Sequence, residues 1–346
     1  MKTSILTVKT LLAKVKRANQ LVSNSMIVPI IENLYFTNGK IISTDLHNHL
    51  VLDNSGFEGE FLIPAKQLAK VLAVLDKNAE IDIQTNSETF KTTLNVVGTN
   101  KTFTLAGENV CDFPQLPKCE LEIGNITGID ILNIAKALPY CGKDDLRPAM
   151  KCVNIGIDIV ATDGHRMMFF PIDGKLSDLA LIDSSSAKLL CDFTEAKVFK
   201  TSSHLSFVDK TETLICRVVD ERYPQYAQAL PTNNPIKVTV PTKAIKETVK
   251  LALLSANSTT NQCVLNVFAD KLNVSSNDLD FGTSFADTLD AKVLGVETTF
   301  TIGINGKFFL EYINQTDKDS ITIKASMPNR AMILNGEHLI MPITLK

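Results

Sequence analysis

The 346-residue sequence contains no tryptophan and only five tyrosines. Proteins that bind single-stranded nucleic acid stack the bases on aromatic side chains, so this scarcity argues against that class. An excess of positive charge is also missing. The net charge is −3, whereas a generic basic nucleic-acid-binding domain usually has a pI above about 9. Any contact with nucleic acid must therefore come from a locally basic surface, and backbone contact with a duplex is favoured over base stacking.

Paired cysteines and long apolar runs are missing as well. The seven cysteines form an odd set without a CxxC pair, which predicts buried thiols in a reducing cytosol rather than a disulfide framework or a zinc knuckle. No segment approaches the roughly 18 apolar residues of a membrane span. Basic residues interrupt any signal-like apolar segment near Met1. We expect a cytoplasmic protein that makes no contact with a membrane.

A short strand that ends in an aspartate occurs three times, as Ile42–Asp45, Val160–Asp163 and Val274–Asp278. The aspartates lie 118 and 115 residues apart. Asp side chains cap turns, so the same turn is expected in each third of the chain. Since the length predicts two or three domains, the repeat favours three.

Two helices are predicted in each third, with short strands after each helix. The first helices are Val8–Gln20, Gly128–Pro139 and Thr242–Leu254. The second helices, which follow Pro at N1 or Ser or Asn at the N-cap, are Ala65–Leu75, Ser185–Phe193 and Gly306–Ile313. Polar, turn-rich stretches separate the thirds. We therefore predict an α+β fold of three repeated domains: 1–122, 123–238 and 239–346.

Positive charge is concentrated on the predicted helices. The six helical segments, each with its flanking residues, sum to +9, so the rest of the chain sums to −12; the segments counted are Val8–Gln20, Pro64–Lys77, Gly128–Pro139, Ser184–Lys200, Thr242–Leu254 and Asn305–Ile313. Solvated helix faces are commonly charged, which is one interpretation of this pattern. The other is that basic helices line one surface and attract phosphates while the outer surface repels them.

Five segments resemble, in order along the chain, motifs of the bacterial DNA polymerase III beta subunit, the beta sliding clamp family. Val160–Met167 resembles the family's ATDGHRL stretch. The other four are similar to its LPILxNL, DFPxL, RFPDY…LP and VMPM segments, and they are Val28–Leu34, Asp112–Leu116, Arg222–Pro231 and Ile340–Ile343. The matches extend over all three thirds of the chain.

The resemblance implies domains of the DNA-clamp type, each with two helices packed on antiparallel sheets. Two chains would close head to tail into a ring that encircles duplex DNA without sequence preference. Implied partners are a second copy of the chain, the replicative polymerase, the clamp loader and other proteins with a clamp-binding motif. The family has no catalytic site, metal or cofactor of its own, and we expect none here.

The resemblance also implies three sets of site residues. A pocket for the apolar peptide tails of partners would be formed by Met150, Thr162, Gly164, His165, Arg166, Met167, Pro224, Gln228, Ala229, Met341, Pro342 and Ile343. DNA-facing cations would be Lys14, Lys16, Arg17, Lys70, Arg147, Lys188, Lys246 and Lys250. Apolar residues of the dimer interface, where an edge strand of the first domain pairs with one of the third, would be Phe103, Leu253 and Leu254.

The sequence departs from the family pattern at several of these places. Gln228 and Thr344 stand where the family has basic pocket residues. Pro148-Ala149 replaces a pair of tyrosines, and Ser185-Ser186 replaces a basic pair before the second helix of the central domain. These departures concern the peptide preference of the pocket and the DNA contacts of the central domain.

Two enzymatic alternatives arise from histidines. His47-Asn48-His49 follows a strand, as the HxH of metal-dependent amidohydrolases does, but few further histidines are present and regular βα alternation is missing. Asp163 with His165 suggests acid–base chemistry, yet no nucleophile motif accompanies them and the same Asp recurs in the other thirds. A DNA clamp, a metallohydrolase and a DNA-independent β-rich interaction scaffold remain as hypotheses.

Overall fold

The structure is a computed structural model that describes residues 4–22, 27–53 and 59–345. The chain divides into two compact units. The N-terminal unit comprises Met1–Ile131 and Asp173–Asp220, and the C-terminal unit comprises Leu132–Ile172 and Glu221–Lys346. Within the described ranges, every helix is too short or too polar to cross a membrane.

In the first repeat a strand and a helix are followed by four strands, and a second helix is followed by three more strands. Its first helix buries Val8, Leu11, Leu12 and Val15, the spacing by which an amphipathic helix packs one face on a core. The sequence predicts Pro64 at position N1 of the second helix, whereas in the structure Pro64 takes the N-cap position, one residue earlier. In chain order the elements are β1 (Ser4–Thr7), α1 (Val8–Ala18), β2 (Asn33–Thr37), β3 (Lys40–Thr44), β4 (Asn48–Asp53), β5 (Glu60–Pro64), α2 (Ala65–Val74), β6 (Glu80–Asn86), β7 (Lys91–Val96) and β8 (Thr102–Ala106).

The second repeat has the same order with one additional short strand, β13. Its second helix begins where Asp183 Oδ1 accepts the N–H of Ser185 across 2.8 Å, and it ends at Leu190, three residues before the predicted end. In chain order the elements are β9 (Leu121–Ile126), α3 (Gly128–Ala137), β10 (Cys152–Ile155), β11 (Asp158–Thr162), β12 (Arg166–Pro171), β13 (Lys175–Leu176), β14 (Ala180–Asp183), α4 (Ser184–Leu190), β15 (Ala196–Lys200), β16 (His204–Val208) and β17 (Glu212–Arg217).

The third repeat again follows this order, with the short strand β22 added. Asn305 is the predicted N-cap of its second helix, and Asn305 Oδ1 accepts the N–H groups of Lys307 and Phe308 at 3.0 and 3.3 Å. In chain order the elements are β18 (Ile236–Pro241), α5 (Thr242–Leu254), β19 (Gln262–Phe268), β20 (Lys271–Asp278), β21 (Thr283–Asp290), β22 (Lys292–Leu294), β23 (Thr299–Asn305), α6 (Gly306–Gln315), β24 (Ser320–Ala325), β25 (Met332–Leu334) and β26 (His338–Ile340).

Each unit contains antiparallel sheets and a pair of packed helices. In the N-terminal unit α1 packs on α2, and the sheets have the strand orders β1-β6-β7-β8 and β13-β9-β15-β16-β17-β4-β3-β2-β5. In the C-terminal unit α5 packs on α6, and the strand orders are β21-β20-β19-β23 and β10-β11-β12-β26-β25-β24-β18-β22. Among the described residues, β8 and β21 are edge strands of their four-stranded sheets.

The predicted α+β class and threefold repeat are confirmed, because the same succession of elements occurs three times. The turn role of the aspartates is confirmed too. Asp45 and Asp163 accept backbone N–H groups in the turns that follow them, and Asp278, the last residue of β20, accepts the N–H of Asp280 at 2.9 Å. The central repeat contributes strands to both compact units. The domain boundaries after residues 122 and 238 stay predictions.

Candidate functional site

The turn between β11 and β12 is fixed by its own side chains. Asp163 Oδ1 accepts the N–H groups of His165 and Arg166 at 2.9 and 3.0 Å. Thr162 Oγ1 donates to the carbonyl of Arg166 at 2.7 Å and accepts the N–H of Gly164 at 3.1 Å. Gly164 has φ +88°, a conformation that glycine adopts without steric cost. The turn therefore exposes Gly164 and His165 in a rigid geometry.

Met150 and Arg147 lie close to this turn. A Cβ atom on Gly164 would be 3.8 Å from Cε of Met150 and 3.8 Å from Nη1 of Arg147. The carbonyl of Met150 accepts the N–H of Gly142 at 2.7 Å, which holds the Met150 backbone in place. The half-buried thioether of Met150 therefore borders the exposed backbone of Gly164. Arg147, predicted to face DNA, adjoins the predicted pocket and forms a loose ion pair with Asp144 at 3.8 Å.

The last strand of the chain brings its C-terminal segment to the same turn. Strand β26 pairs with β12, with Ile340 opposite Arg166. The next N–H, that of Met341, donates to the carbonyl of His165 at 2.9 Å. Two residues later Ile343 donates its N–H to the carbonyl of Gly303 at 2.8 Å. Met341 is 41% exposed, and Pro342 and Ile343 are half-buried.

Arg166 is turned inward and held by contacts within the C-terminal unit. Its side chain is 9% exposed and donates to Glu311 and, at 3.0 Å, to Asp163 Oδ2. The guanidinium carbon lies 4.7 Å from the ring centre of Tyr140 and 4.4 Å from that of Phe308. Burial opposes the charged form, but the hydrogen bonds to Glu311 and Asp163 hold the pKa of Arg166 above its ordinary value. Arg166 therefore supports the site from within.

The predicted pocket residues after Pro224 lie on a segment anchored to β11. Tyr223 donates its hydroxyl to the carbonyl of Val160 at 3.3 Å, and Tyr226 donates to Asp158 at 2.9 Å. Both anchors lie in the C-terminal unit. Pro224, which lies between the two tyrosines in sequence, is half-buried. Gln228 and Ala229 are exposed in a short 3-10 helix.

The predicted pocket residues thus form two contiguous groups in the C-terminal unit. Thr162 and Met167 are buried, so they support the surface rather than form it. We call the accessible part the tail site; it consists of Met150, Gly164, His165, Met341, Pro342 and Ile343. Methionine side chains adapt to apolar partners of different shape, so this surface is suited to short apolar peptides. Its binding role stays a prediction.

The predicted DNA-facing cations differ in how available their charges are. Arg17 has a side chain only 13% exposed, and its guanidinium donates to Glu212 at 2.9 Å and to Asp192 at 2.7 Å. Lys14 donates to the carbonyl of Asp53. Lys246 is half-buried. The exposed helix cations of this set are Lys16, Lys70, Lys188 and Lys250.

The predicted interface residues lie at or near the two edge strands. Phe103 is half-buried on β8. Leu254, the last residue of α5, is 80% exposed, while Leu253 is half-buried against Gly306, where an added Cβ would be 3.0 Å from Leu253 Cδ2. The interface role of these three residues stays a prediction.

The histidines of the HxH motif occupy different environments. His47 is exposed in the turn before β4, whereas His49 is 4% exposed within that strand. Burial lowers the pKa of His49 to about 4. Within residues 4–22, 27–53 and 59–345, no three His, Cys, Asp or Glu side chains are grouped to hold a metal ion.

Sequence reasoning did not identify the residues that hold Arg166. Tyr140, Phe308 and Glu311 lie far from it along the chain, so no local pattern marks the contact. The sequence shows the apolar and aromatic residues of α6, but it does not show that this helix contacts Arg166.

Known proteins resemble this chain over nearly all of its length. A beta sliding clamp of Helicobacter pylori strain J99 is 25% identical over 351 residues, which cover 91% of this chain and 90% of that protein. The crystal structure of the DNA polymerase III subunit beta from Pseudomonas aeruginosa superposes with a TM-score of 0.89 at 18% identity, covering 99% of this chain and 100% of that one. A sliding clamp from the same organism bound to griselimycin gives the same TM-score, with 99% of each chain covered.

One segment also matches a protein family. Residues 227–341 match the family described as DNA polymerase III beta subunit, C-terminal domain. This segment includes the third repeat and the last strand beside the tail site. The chain therefore has the fold of bacterial beta sliding clamps and resembles them in sequence from the first repeat to the third.

Proposed function

We propose that two copies of this chain form a closed ring around duplex DNA and tether the replicative DNA polymerase to it. The chain would have no catalytic role, because it would only encircle DNA and bind partner proteins. ATP-driven opening would belong to a clamp loader. The observation that carries the proposal is the pair of edge strands, β8 in the first repeat and β21 in the third.

An exposed sheet edge presents unpaired N–H and C=O groups and is normally covered. Strand β8 of one copy would pair with β21 of the other and continue the two four-stranded sheets into one. The contact is heterologous, and two such contacts close a head-to-tail dimer. Phe103 on β8, and Leu253 with the exposed Leu254 on α5, would form the apolar part of this interface.

The exposed helix cations would face the DNA. Lys16, Lys70, Lys188 and Lys250 offer charges on the surfaces of α1, α2, α4 and α5. Such contacts are sequence-independent and salt-sensitive. Enclosure keeps the protein on DNA, so weak phosphate contacts suffice and do not impede sliding.

The tail site would receive the polymerase, the clamp loader and other proteins with a clamp-binding motif. Its half-buried Met150, Pro342 and Ile343 offer apolar surface, and the exposed backbone at Gly164 permits close approach of an extended peptide. The griselimycin-bound clamp of Pseudomonas aeruginosa supports a ligand site on this fold. Gln228 in place of a basic residue leaves the rim without that charge.

The proposal is tested by retention on DNA of different topology. The purified protein is loaded onto a nicked circular plasmid by the host clamp loader with ATP, and bound protein is separated by gel filtration in high salt. Retention on the circle and release after a single restriction cut are expected. Equal retention on circular and linear DNA would mean adhesion rather than enclosure.

A further inference from the structure

We infer that the N-terminal unit carries a second binding cleft, suited to a short acidic peptide, at the turn between β3 and β4. The cleft has a volume of about 350 Å³. That volume is at the lower end of the range for ligand sites, which suits one or two side chains of a peptide. We call it the turn cleft, and the residues used below are His47, Asn48, Ser186, Arg217, Val218 and Val219.

The turn that borders the cleft repeats the turn of the tail site bond for bond. Asp45 Oδ1 accepts the N–H groups of His47 and Asn48 at 2.9 and 2.6 Å. Thr44 Oγ1 donates to the carbonyl of Asn48 and accepts the N–H of Leu46, both at 2.9 Å. Leu46 adopts the positive φ, +75°, that glycine adopts in the other copy. The same backbone is therefore presented twice.

The neighbouring strand repeats as well. The N–H of Arg217, at the end of β17, donates to the carbonyl of His47 at 3.0 Å. In the tail site the N–H of Met341 donates to the carbonyl of His165 at 2.9 Å. Arg217 of the turn cleft therefore occupies the place that the exposed Met341 has in the tail site.

Two residues further along, the correspondence continues. Val219 donates its N–H to the carbonyl of Leu181 at 3.4 Å, as Ile343 does to that of Gly303 at 2.8 Å. Val218 and Val219 are half-buried and line the cleft. They supply an apolar wall where the tail site has Pro and Ile.

The cleft is open because two large side chains that support the tail site from within have small counterparts here. Asn48 is three residues after Asp45, as Arg166 is three residues after Asp163. Ser186 is three residues after the N-cap of α4, as Phe308 is three residues after the N-cap of α6. In the C-terminal unit that arginine and phenylalanine stack. Here Ser186 Oγ instead donates to Asn48 Oδ1, and both side chains are buried. The result is a polar floor beneath an unfilled volume.

The charge of Arg217 selects the occupant. Its side chain is exposed, and no hydrogen bond or ion pair of its guanidinium occurs within the described part of the chain. The two carboxylates of the lining, Asp45 and Asp183, already accept backbone N–H groups. A peptide carboxylate is the complement of an uncommitted guanidinium. Duplex DNA is a poorer match, because a cleft of about 350 Å³ admits one or two side chains and not a duplex.

The choice of a peptide as occupant rests on the proposed function of the tail site; the cleft itself rests on the repeated geometry. The probe is an equimolar pool of fluorescein-labelled hexapeptides in which one aspartate adjoins two randomised apolar residues. A matched pool has asparagine instead. Fluorescence anisotropy with the full chain should show saturable binding of the aspartate pool and about tenfold weaker binding of the asparagine pool.

Arg217→Glu and the cavity-filling Ser186→Phe should each weaken binding of the aspartate pool about tenfold. Arg222→Glu, which reverses an exposed arginine outside the cleft, should leave it unchanged, and the aspartate pool should still bind saturably after deletion of Met341–Lys346. The exposed Arg217 keeps the test valid if Ser186→Phe does not fold.

Three results would overturn the turn cleft: no saturable binding of the aspartate pool, equal binding of both pools, or binding lost on deletion of the tail. Displacement of the pool by a duplex oligonucleotide that itself requires Arg217 would assign the site to DNA and would also overturn it. Retention on nicked circles is measured on the same protein. Retention on the circle without peptide binding would contradict the turn cleft and leave the proposed ring unaffected. Peptide binding without retention on the circle would contradict the ring and leave the turn cleft unaffected.

Discussion

Arg17 on α1 pairs with Glu212 on β17, with Nε 2.9 Å from Oε2 and both side chains at most 13% exposed. The same guanidinium also donates to the carbonyl of Leu189 at 2.9 Å. The pair connects the first helix of the chain to the central repeat within the N-terminal unit. Because its charge is matched internally, Arg17 contributes more to stability than to a field that attracts DNA.

Replacing Arg17 should therefore destabilise the protein. We expect Arg17→Gln to lower the free energy of unfolding by about 2–3 kcal/mol, since it leaves the largely buried carboxylate of Glu212 without its partner. Urea denaturation measures this, with Lys16→Gln as the exposed control on the same helix. Unchanged stability together with lost DNA loading would place Arg17 at the DNA instead.

The exposed lysines should have the opposite effect. Lys16→Glu combined with Lys70→Glu should slow loading onto nicked circles and leave thermal stability within about 0.5 kcal/mol of the unchanged protein. The salt dependence of DNA binding should also become shallower, because fewer phosphates are neutralised. Loading at the original rate would mean that α1 and α2 do not face DNA.

Deletion of Met341–Lys346 should remove the C-terminal wall of the tail site. Strand β26 ends at Ile340, so its pairing with β12 and β25 is kept and only the bridge between Ile343 and Gly303 is lost. We expect loss of polymerase stimulation in a primer-extension assay with no change in the mass of the dimer. Ile343→Asp is a milder second variant, because it places a charge on the half-buried wall. A monomeric product would instead assign the tail to the subunit interface.

Acid should destabilise the C-terminal unit through His338. This imidazole is fully buried between Tyr140 and Tyr312, and within the described residues neither ring nitrogen has a hydrogen-bond partner. Burial, with the nearby charge of Arg166, lowers the pKa of His338 to about 3. The unfolded chain binds this proton below about pH 6.5 and the folded chain does not, so stability is full above that pH and falls as the pH drops toward 3.

His338→Phe removes this titration and keeps a ring between the two tyrosines. Between pH 7 and 5 the unchanged protein should lose about 2 kcal/mol more stability than the variant. Urea denaturation at the two pH values measures the difference. Parallel loss in both proteins would show that His338 is protonated in the folded state.

Much of the fold could be predicted from the sequence, because its signals are local. Helix α5 has the predicted bounds, and Asn305 caps α6 as predicted. Helix α4 is shorter than predicted because the hydrogen bonds after Cys191 are those of a tighter turn, from the N–H groups of Asp192 and Phe193 to the carbonyls of Leu189 and Leu190.

The contacts of the charged residues could not be predicted in this way. Arg17 meets Glu212 across 195 positions and Arg166 meets Glu311 across 145, so neither pair has a helical or strand spacing. The turn cleft was also invisible. In the sequence Ser185-Ser186 is only a departure from the family's basic pair; the repeated turn shows that Ser186 takes the place of an aromatic residue and opens a cavity.

Leu254→Asp tests the proposed interface at a residue that is 80% exposed, so the variant should fold. Burying a leucine contributes about 1.5–3 kcal/mol, and replacing it with a charge should raise the dimer dissociation constant at least about tenfold. Ile157→Asp, 83% exposed between β10 and β11 and away from both proposed interface strands, is the matched control. Equal dissociation constants for the two variants would exclude Leu254 from the interface.

Electron microscopy of the purified protein, with its mass in solution, tests the central claim most directly. The account predicts a closed ring with a central opening that admits duplex DNA, and a mass twice the 38.0 kDa of one chain. An open particle, or a species of one chain's mass at micromolar concentration, would contradict it.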